Sequence, residues 1–262
     1  MWNIDFITEE EFDAHVAGTI RSYADSLTSF DIQKFNSNLV DPIKLIFDKS
    51  VYGLSWDEII KSEIFRQRDK SNNNSIGFFH QKIFYYLDDC DVPQQGWDVI
   101  FRTDGDVDLG EGIHASTAYV EIKNKHNTMN SASAAKTYIR MQDQLLNDDD
   151  CVCLLVEAIA RHSQNITWSI SIDGQKKGHN RIRRVSIDKF YELVTGDPDA
   201  FYKICSALPE SIERVLKMKD EVSPPHDTVI EELKVQAKSM GGSMSLALYM
   251  LGFSGYQGFP GG

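Results

Sequence analysis

The chain of 262 residues has no run of about 18 apolar residues, and that lack excludes a membrane-spanning helix. Its opening, "MWNIDFITEEEFDAH", is acidic and lacks the basic-then-apolar layout of a secretion signal, so a cytoplasmic chain that meets no membrane is expected. Cysteine is scarce. Cys90, Cys151, Cys153 and Cys205 form no C-x-x-C pair, which argues against both a disulfide framework and a zinc knuckle. Cys151 and Cys153 stand two apart in the apolar run "CVCLLVEAIA" and read as core thiols on one strand face. No internal repeat is present. Positive charge is also short, since the net charge is −12, and taken alone this argues against a nucleic-acid partner.

The distribution of charge says more than its sum. Residues 1–60 hold 11 acids and 4 bases, and residues 86–111 hold 8 acids and 1 base. Residues 161–189 reverse the balance, with 7 bases against Asp173 and Asp188. An acidic protein with one basic segment can bind DNA through a single face, while its acidic remainder limits non-specific binding.

The apolar fraction of 42% supports a substantial core. The first 90 residues read as helices. Phe12, Val16, Ile20, Tyr23 and Leu27 recur at helical spacing, Asp41-Pro42 opens a helix, and Ser55 with Glu58 forms a capping box. "DKSNNNS" reads as a polar break before a helix over "IGFFHQKIFYYL". The centre is β-rich: "GWDVIFRT" and "STAYVEIKNK" are expected to pair antiparallel across the turn-rich "DGDVDLGEG", and "CVCLLVEAIA" is apolar on both faces like a central strand. "TWSISIDG" and "RIRRVSI" alternate and read as edge strands. Between them in chain order, "SASAAKTYIRMQDQLL" is an amphipathic helix, with Ala135, Tyr138, Ile139, Gln142, Leu145 and Leu146 expected inward and Lys136, Arg140 and Gln144 outward. After Ser186 the pattern is helical again: Gly196 stops one helix and Asp197-Pro198 caps the next. The Gly-rich end "GGSMSLALYMLGFSGYQGFPGG" reads as a loose tail or a segment for a partner subunit. Helices, then strands with one inserted helix, then helices describe a mixed α/β core with helical flanks.

The chemistry concentrates in "YVEIKNKHNTMN". Alternation puts Glu121 and Lys123 on one face and the apolar Val120 and Ile122 on the other. Asp98, 23 positions before Glu121, falls beside it if the two strands pair. Adjacent carboxylates repel unless a cation lies between them, and oxygen ligands of this kind suit Mg²⁺. A lysine on the same face can orient water or stabilise developing charge, so the set suits metal-assisted phosphodiester hydrolysis. The plain alternative for Glu121 and Lys123 is a solvated ion pair.

The spacing Asp98 … Glu121-x-Lys123 resembles the PD-(D/E)xK nucleases. The longer stretches "GFFHQKI", "GWDV", "YVEIKNKHNTMNSASAAKTYIRMQ", "SQNITWSISIDG" and "RIRRVSIDKFYELVTGD" resemble type II restriction endonucleases that recognise GGNCC, over roughly residues 60–210. The resemblance implies a restriction endonuclease-like mixed sheet flanked by helices. It also implies Mg²⁺-dependent cleavage of both strands of a short palindrome in double-stranded DNA, with 5′-phosphate ends. A homodimer and a cognate DNA methyltransferase, a genetic rather than physical partner, follow from the same resemblance. By it, Asp98, Glu121 and the Ile122 carbonyl hold metal, and Lys123 positions or activates water. The family's Pro-Asp is Trp97-Asp98 here, which leaves Asp104, Asp106 and Asp108 as rivals to Asp98. Those three do not open a calcium loop, because positions 6 and 12 counted from Asp104 are Leu109 and Ala115 rather than glycine and glutamate.

The chain is accordingly read as one nuclease domain: a helical region 1–75, a catalytic core 76–195, helices over 196–240 and the tail 241–262. DNA contacts are expected from Asn124, Lys125, His126, Asn127, Asn130, Lys136, Arg140, Arg181 and Arg183, with Asn130 or Ser131 also a candidate helix cap. Alternation puts Arg184 opposite Arg181 and Arg183. His80 or Gln81 is an accessory candidate, and Glu157, an acid in an apolar strand, needs a basic partner. Another nuclease of the same superfamily and a non-catalytic DNA-binding module are the alternatives.

Overall fold

The computed structural model describes residues 2–108, 112–126, 128–172, 174–218, 225–254 and 256, with the backbone alone at Ser26 and 104–108. Among these residues, α1 (Glu9–Ser26), α2 (Ile32–Asn36), α3 (Pro42–Tyr52) and α4 (Trp56–Lys82) come first, with a 3₁₀ turn at Ile83–Tyr86. The centre holds β1 (Cys90–Asp91), β2 (Val99–Asp108), β3 (His114–Lys125), α5 (Ser131–Asn147), β4 (Cys151–Ile159), β5 (Asn165–Ile172) and β6 (Gln175–Ser186). The chain ends in α6 (Ile187–Thr195), α7 (Ala200–Lys217), α8 (Val229–Ser239) and α9 (Met244–Gly252). No helix of the described residues is long and apolar enough to cross a membrane.

Two compact units emerge. Met1–Ile20 joins Asn74–Asp220, and Arg21–Asn73 joins Glu221–Gly262. The segment 1–75, read from sequence as one region, is therefore shared between them. The second unit is helical around Phe35, Leu45, Ile60, Ile64, Leu233 and Leu248. The C-terminal segment supplies α9 to that core, with Ala247 and Leu248 buried, so its first half is neither loose nor reserved for a partner.

The first unit is built on a mixed sheet of six strands in the order β1-β2-β3-β4-β6-β5, the restriction endonuclease-like arrangement expected from sequence. β2 and β3 pair antiparallel, while β3, β4 and β6 run parallel. β4 lies between two parallel neighbours and is buried from Cys151 to Ala158, which is why its sequence is apolar on both faces. On one face Val120, Val152, Leu154, Val156 and Val185 pack with Phe12, Val16 and Phe79 and with Phe190, Tyr191 and Val215 from α6 and α7. On the other, Cys153, Leu155 and Ile182 pack with Tyr138 and Met141 of α5 and with Trp168.

Several local expectations are corrected. α4 runs unbroken through "DKSNNNS". Asn and Ser cost only about 0.5–0.7 kcal/mol each in a helix, and an i,i+4 bond from Asn73 to Asp69 offsets part of that. β6 is interior rather than an edge, because β5 folds back antiparallel and takes the edge itself. β2 extends to Asp108, so the connection to β3 is shorter than "DGDVDLGEG" suggests. Gly196 does end α6, in a left-handed conformation at φ 71° that a side chain resists. The residue capping α7 is Asp199, while Asp197 accepts from the Asp199 N–H and from Lys203.

Candidate active site

Asp98 sits one residue before β2. Val99 pairs with Val120 in antiparallel register, which brings Asp98 opposite Glu121, and the Asp98 N–H donates to the Val120 carbonyl at 3.0 Å. The parallel strands extend the row: Glu121 is level with Leu155, and Leu155 with Arg184. The next row on the same face is Lys123, Glu157 and Ser186. Charged groups thus line the C-terminal ends of the parallel strands, while the apolar Tyr119, Cys153 and Ile182 occupy the preceding row.

The Ile122 N–H donates to Asp98 Oδ2 at 2.7 Å. Lys123 Nζ donates to Glu121 Oε1 at 2.7 Å, and Arg140 donates to Glu121 Oε2 at 3.1 Å. The Arg140 guanidinium lies 3.8 Å from the centre of the Trp97 ring, a cation–π stack, and the Trp97 indole donates to Gln144 at 3.2 Å. Gln81 donates to the Asp98 carbonyl at 3.2 Å. Burial, and next the Glu121 charge, raise the Asp98 pKa, against the opposing pull of the Ile122 N–H, Lys123 and Arg140.

This donor set fits one hard divalent cation. Two buried-edge carboxylates face each other, and one is unfavourably charged without a counter-ion. Among the described residues no cluster of three or more His, Cys, Asp or Glu forms a cage, and Mg²⁺ in particular needs only one or two carboxylates beside water and phosphate oxygens.

The other sequence candidates divide. Asn124 is half-buried where α4 comes close: a Cβ on Gly77 would lie 3.3 Å from its Oδ1, so glycine at 77 permits the approach. Lys125 is exposed at the end of β3, and Asn127 lies outside the described residues. Asn130 is the cap of α5, accepting from the Ser133 N–H at 2.9 Å. Lys136 is exposed on α5. Arg140 and Gln144, expected outward, face the site, whereas Ile139 and Leu146 are exposed; the buried stripe of α5 runs through Tyr138 and Met141 instead. Arg181 donates to the Asp149 and Cys151 carbonyls, at the opposite end of β4 from Glu157. Arg183 is only 1% exposed and is tied to Asn165, on the face turned away from Glu121, so it is not placed to meet DNA. His80 packs edge-on to Phe79, and burial lowers its pKa, whereas Gln81 is the one of the two that reaches Asp98. The side chains of Asp104, Asp106 and Asp108 lie outside the described set.

Glu157 does have its basic partner. It is 2% exposed and pairs with Arg184 and, at 3.2 Å, with His126 Nδ1. Sequence reasoning asked for such a base but left Arg184 aside.

The Eco47II restriction endonuclease family model matches residues 4–217. The chain belongs to this family. It is similar to the type II restriction enzyme Sau96I of Staphylococcus aureus, with 27% identity over 250 residues, 92% of each chain. It is likewise similar to the type II restriction enzyme Eco47II of Escherichia coli, with 30% identity over 223 residues, 81% of this chain and 88% of that one. As a restriction endonuclease the chain is an enzyme, a site-specific deoxyribonuclease acting on double-stranded DNA. The matched span covers every charged group of the two rows described above.

Proposed function

We propose that this restriction endonuclease hydrolyses both strands of the palindrome GGNCC with Mg²⁺ and leaves 5′-phosphate ends. The observation that carries the reading is the juxtaposition of Asp98, Glu121 and Lys123, with the Asp98 carboxylate bonded to the Ile122 N–H. Asp98 and Glu121 hold the metal. In a strand the N–H and C=O of one residue point to the same edge, so the Ile122 carbonyl is aimed toward Asp98 and can complete the ligand set.

A divalent cation bound there stabilises the charge that builds on the scissile phosphate. Every other task falls to side chains of this chain. Lys123 orients the attacking water and offsets charge on the phosphate oxygens. Arg140 holds Glu121 in place and is itself fixed by stacking on Trp97. Gln81 anchors the Asp98 main chain. On the site face Asp98, Glu121 and Glu157 are matched by Lys123, Arg140 and Arg184, so the surplus positive charge that attracts DNA comes with the metal.

Two copies, one per strand, suit a twofold-symmetric site. The context is cytoplasmic restriction–modification, with a cognate methyltransferase protecting the same sequence. The test is incubation of the purified chain with unmethylated plasmid, with Mg²⁺ or with chelator, followed by sequencing of the ends. Discrete Mg²⁺-dependent ends at GGNCC are expected. Random nicking, or binding without cleavage, would overturn the reading.

A further inference from the structure

Arg184 stands in the same row as Glu121, two strands away, or about 10 Å between Cα positions. It is the only arginine of the 181–184 run on the site's face, since Arg181 lies at the far end of β4 and Arg183 is on the other face. Its guanidinium is held from below. One terminal nitrogen bonds Glu157, which is 2% exposed, and also lies 2.5 Å from His126 Nδ1. Arginine can only donate, so Nδ1 accepts and the proton of the neutral imidazole sits on Nε2. Arg184 Nε is buried without a hydrogen-bond partner, while the side chain as a whole keeps 23% of its surface exposed and His126 keeps 21%.

A bridge formed only to neutralise a buried acid needs neither an outward-facing second nitrogen nor a second base. This cluster has both, next to Lys123, which is level with Glu157 on the neighbouring strand. We propose that Arg184 and His126 form a binding site for a DNA backbone phosphate adjacent to the cleaved one, and that Glu157 is the positioning residue that fixes both. The remaining guanidinium nitrogen and the His126 Nε2–H donate to non-bridging phosphate oxygens, and Glu157 keeps the arginine from swinging to Glu121. The site rests on the nuclease reading above, because its phosphate belongs to the strand held at Asp98, Glu121 and Lys123.

The test is equilibrium binding of the full chain to a short GGNCC duplex in chelator, measured across a salt series. The proteins are wild type, Arg184→Gln, and the double variant Glu157→Gln/Arg184→Gln, each with its urea midpoint. One lost phosphate contact makes the slope of log K against log salt shallower by about 0.9. That change is expected in both variants, with the double variant closer to the wild-type midpoint because neither charge is left buried alone. A double variant with the wild-type slope would overturn the proposal and leave the cluster a structural bridge. Wild-type chain that neither binds this duplex nor cuts it with Mg²⁺ overturns the nuclease reading as well, whereas cleavage with an unchanged variant slope removes the phosphate site alone.

Discussion

The two faces of the central sheet use the same strands for opposite purposes. Odd and even residues of β3 and β4 differ only in which way they point, yet Val120, Leu154 and Val156 are fully buried among α1, α6 and α7 residues, while Glu121, Lys123 and Glu157 are charged. On the apolar face stability comes from packing and ion pairs are rare. On the charged face each acid is held by a base, and Asp98 is held at a cost, because burial and Glu121 both oppose its charge. One face maintains the fold and the other stores the electrostatic imbalance that a metal and a phosphate relieve.

Substitutions separate these roles. The largest effect is expected from Lys123→Ala, which should lower the cleavage rate by about 10²–10⁴-fold with little change in the urea midpoint. Single-turnover cleavage of a plasmid reads the first and circular dichroism the second; cleavage at the wild-type rate would contradict the site. On the opposite face Leu154→Ala should do the reverse. A loss of about 2–5 kcal/mol in stability, with cleavage by the remaining folded protein unchanged at low temperature, is the expected pattern.

A pH titration sharpens the comparison from the apolar side. His15 is buried against Phe79, its Nε2 lies 3.0 Å from the Phe79 carbonyl, and burial lowers its pKa to about 4. The folded state therefore keeps His15 neutral where the unfolded chain, with a pKa near 6.5, takes up a proton. Its contribution is fully present above about pH 6.5 and is lost as the pH falls toward 4, an effect of at most about 3 kcal/mol. Urea midpoints of wild type and His15→Gln should diverge across that window, and parallel curves would refute the assignment. The smallest effect belongs to Arg140→Ala. Its ion pair is partly exposed and its stack on Trp97 adds little, so about 1 kcal/mol of stability should be lost, visible as a small shift of the urea midpoint.

What the sequence made legible was local. Glu121 and Lys123 on one face, the antiparallel partner carrying Asp98, the doubly apolar β4 and the Asn130 cap all follow from period, spacing and cap chemistry. What it hid was register. Alternation correctly separated Arg183 from Arg184, but which of them meets the site depends on Leu155 being level with Arg184, a relation between strands with β5 inserted between them in the chain. The inward turn of Arg140 was missed for a related reason: a helix stripe read from apolar spacing ignores a cation that stacks on Trp97 from 43 positions earlier in the sequence. The continuity of α4 and the burial of α9 depend on tertiary packing that no polar or glycine-rich string reveals.

The Asp98→Asn protein tests the central claim most directly, through its melting temperature with and without Mg²⁺ beside its cleavage activity. Asparagine can still accept from the Ile122 N–H, so the fold is kept while the disfavoured charge is removed. The account predicts a melting temperature above that of wild type without metal, no further rise on adding Mg²⁺ where wild type rises, and no cleavage. An Asp98→Asn protein that cuts DNA at the wild-type rate, or that Mg²⁺ stabilises as much as wild type, would contradict it.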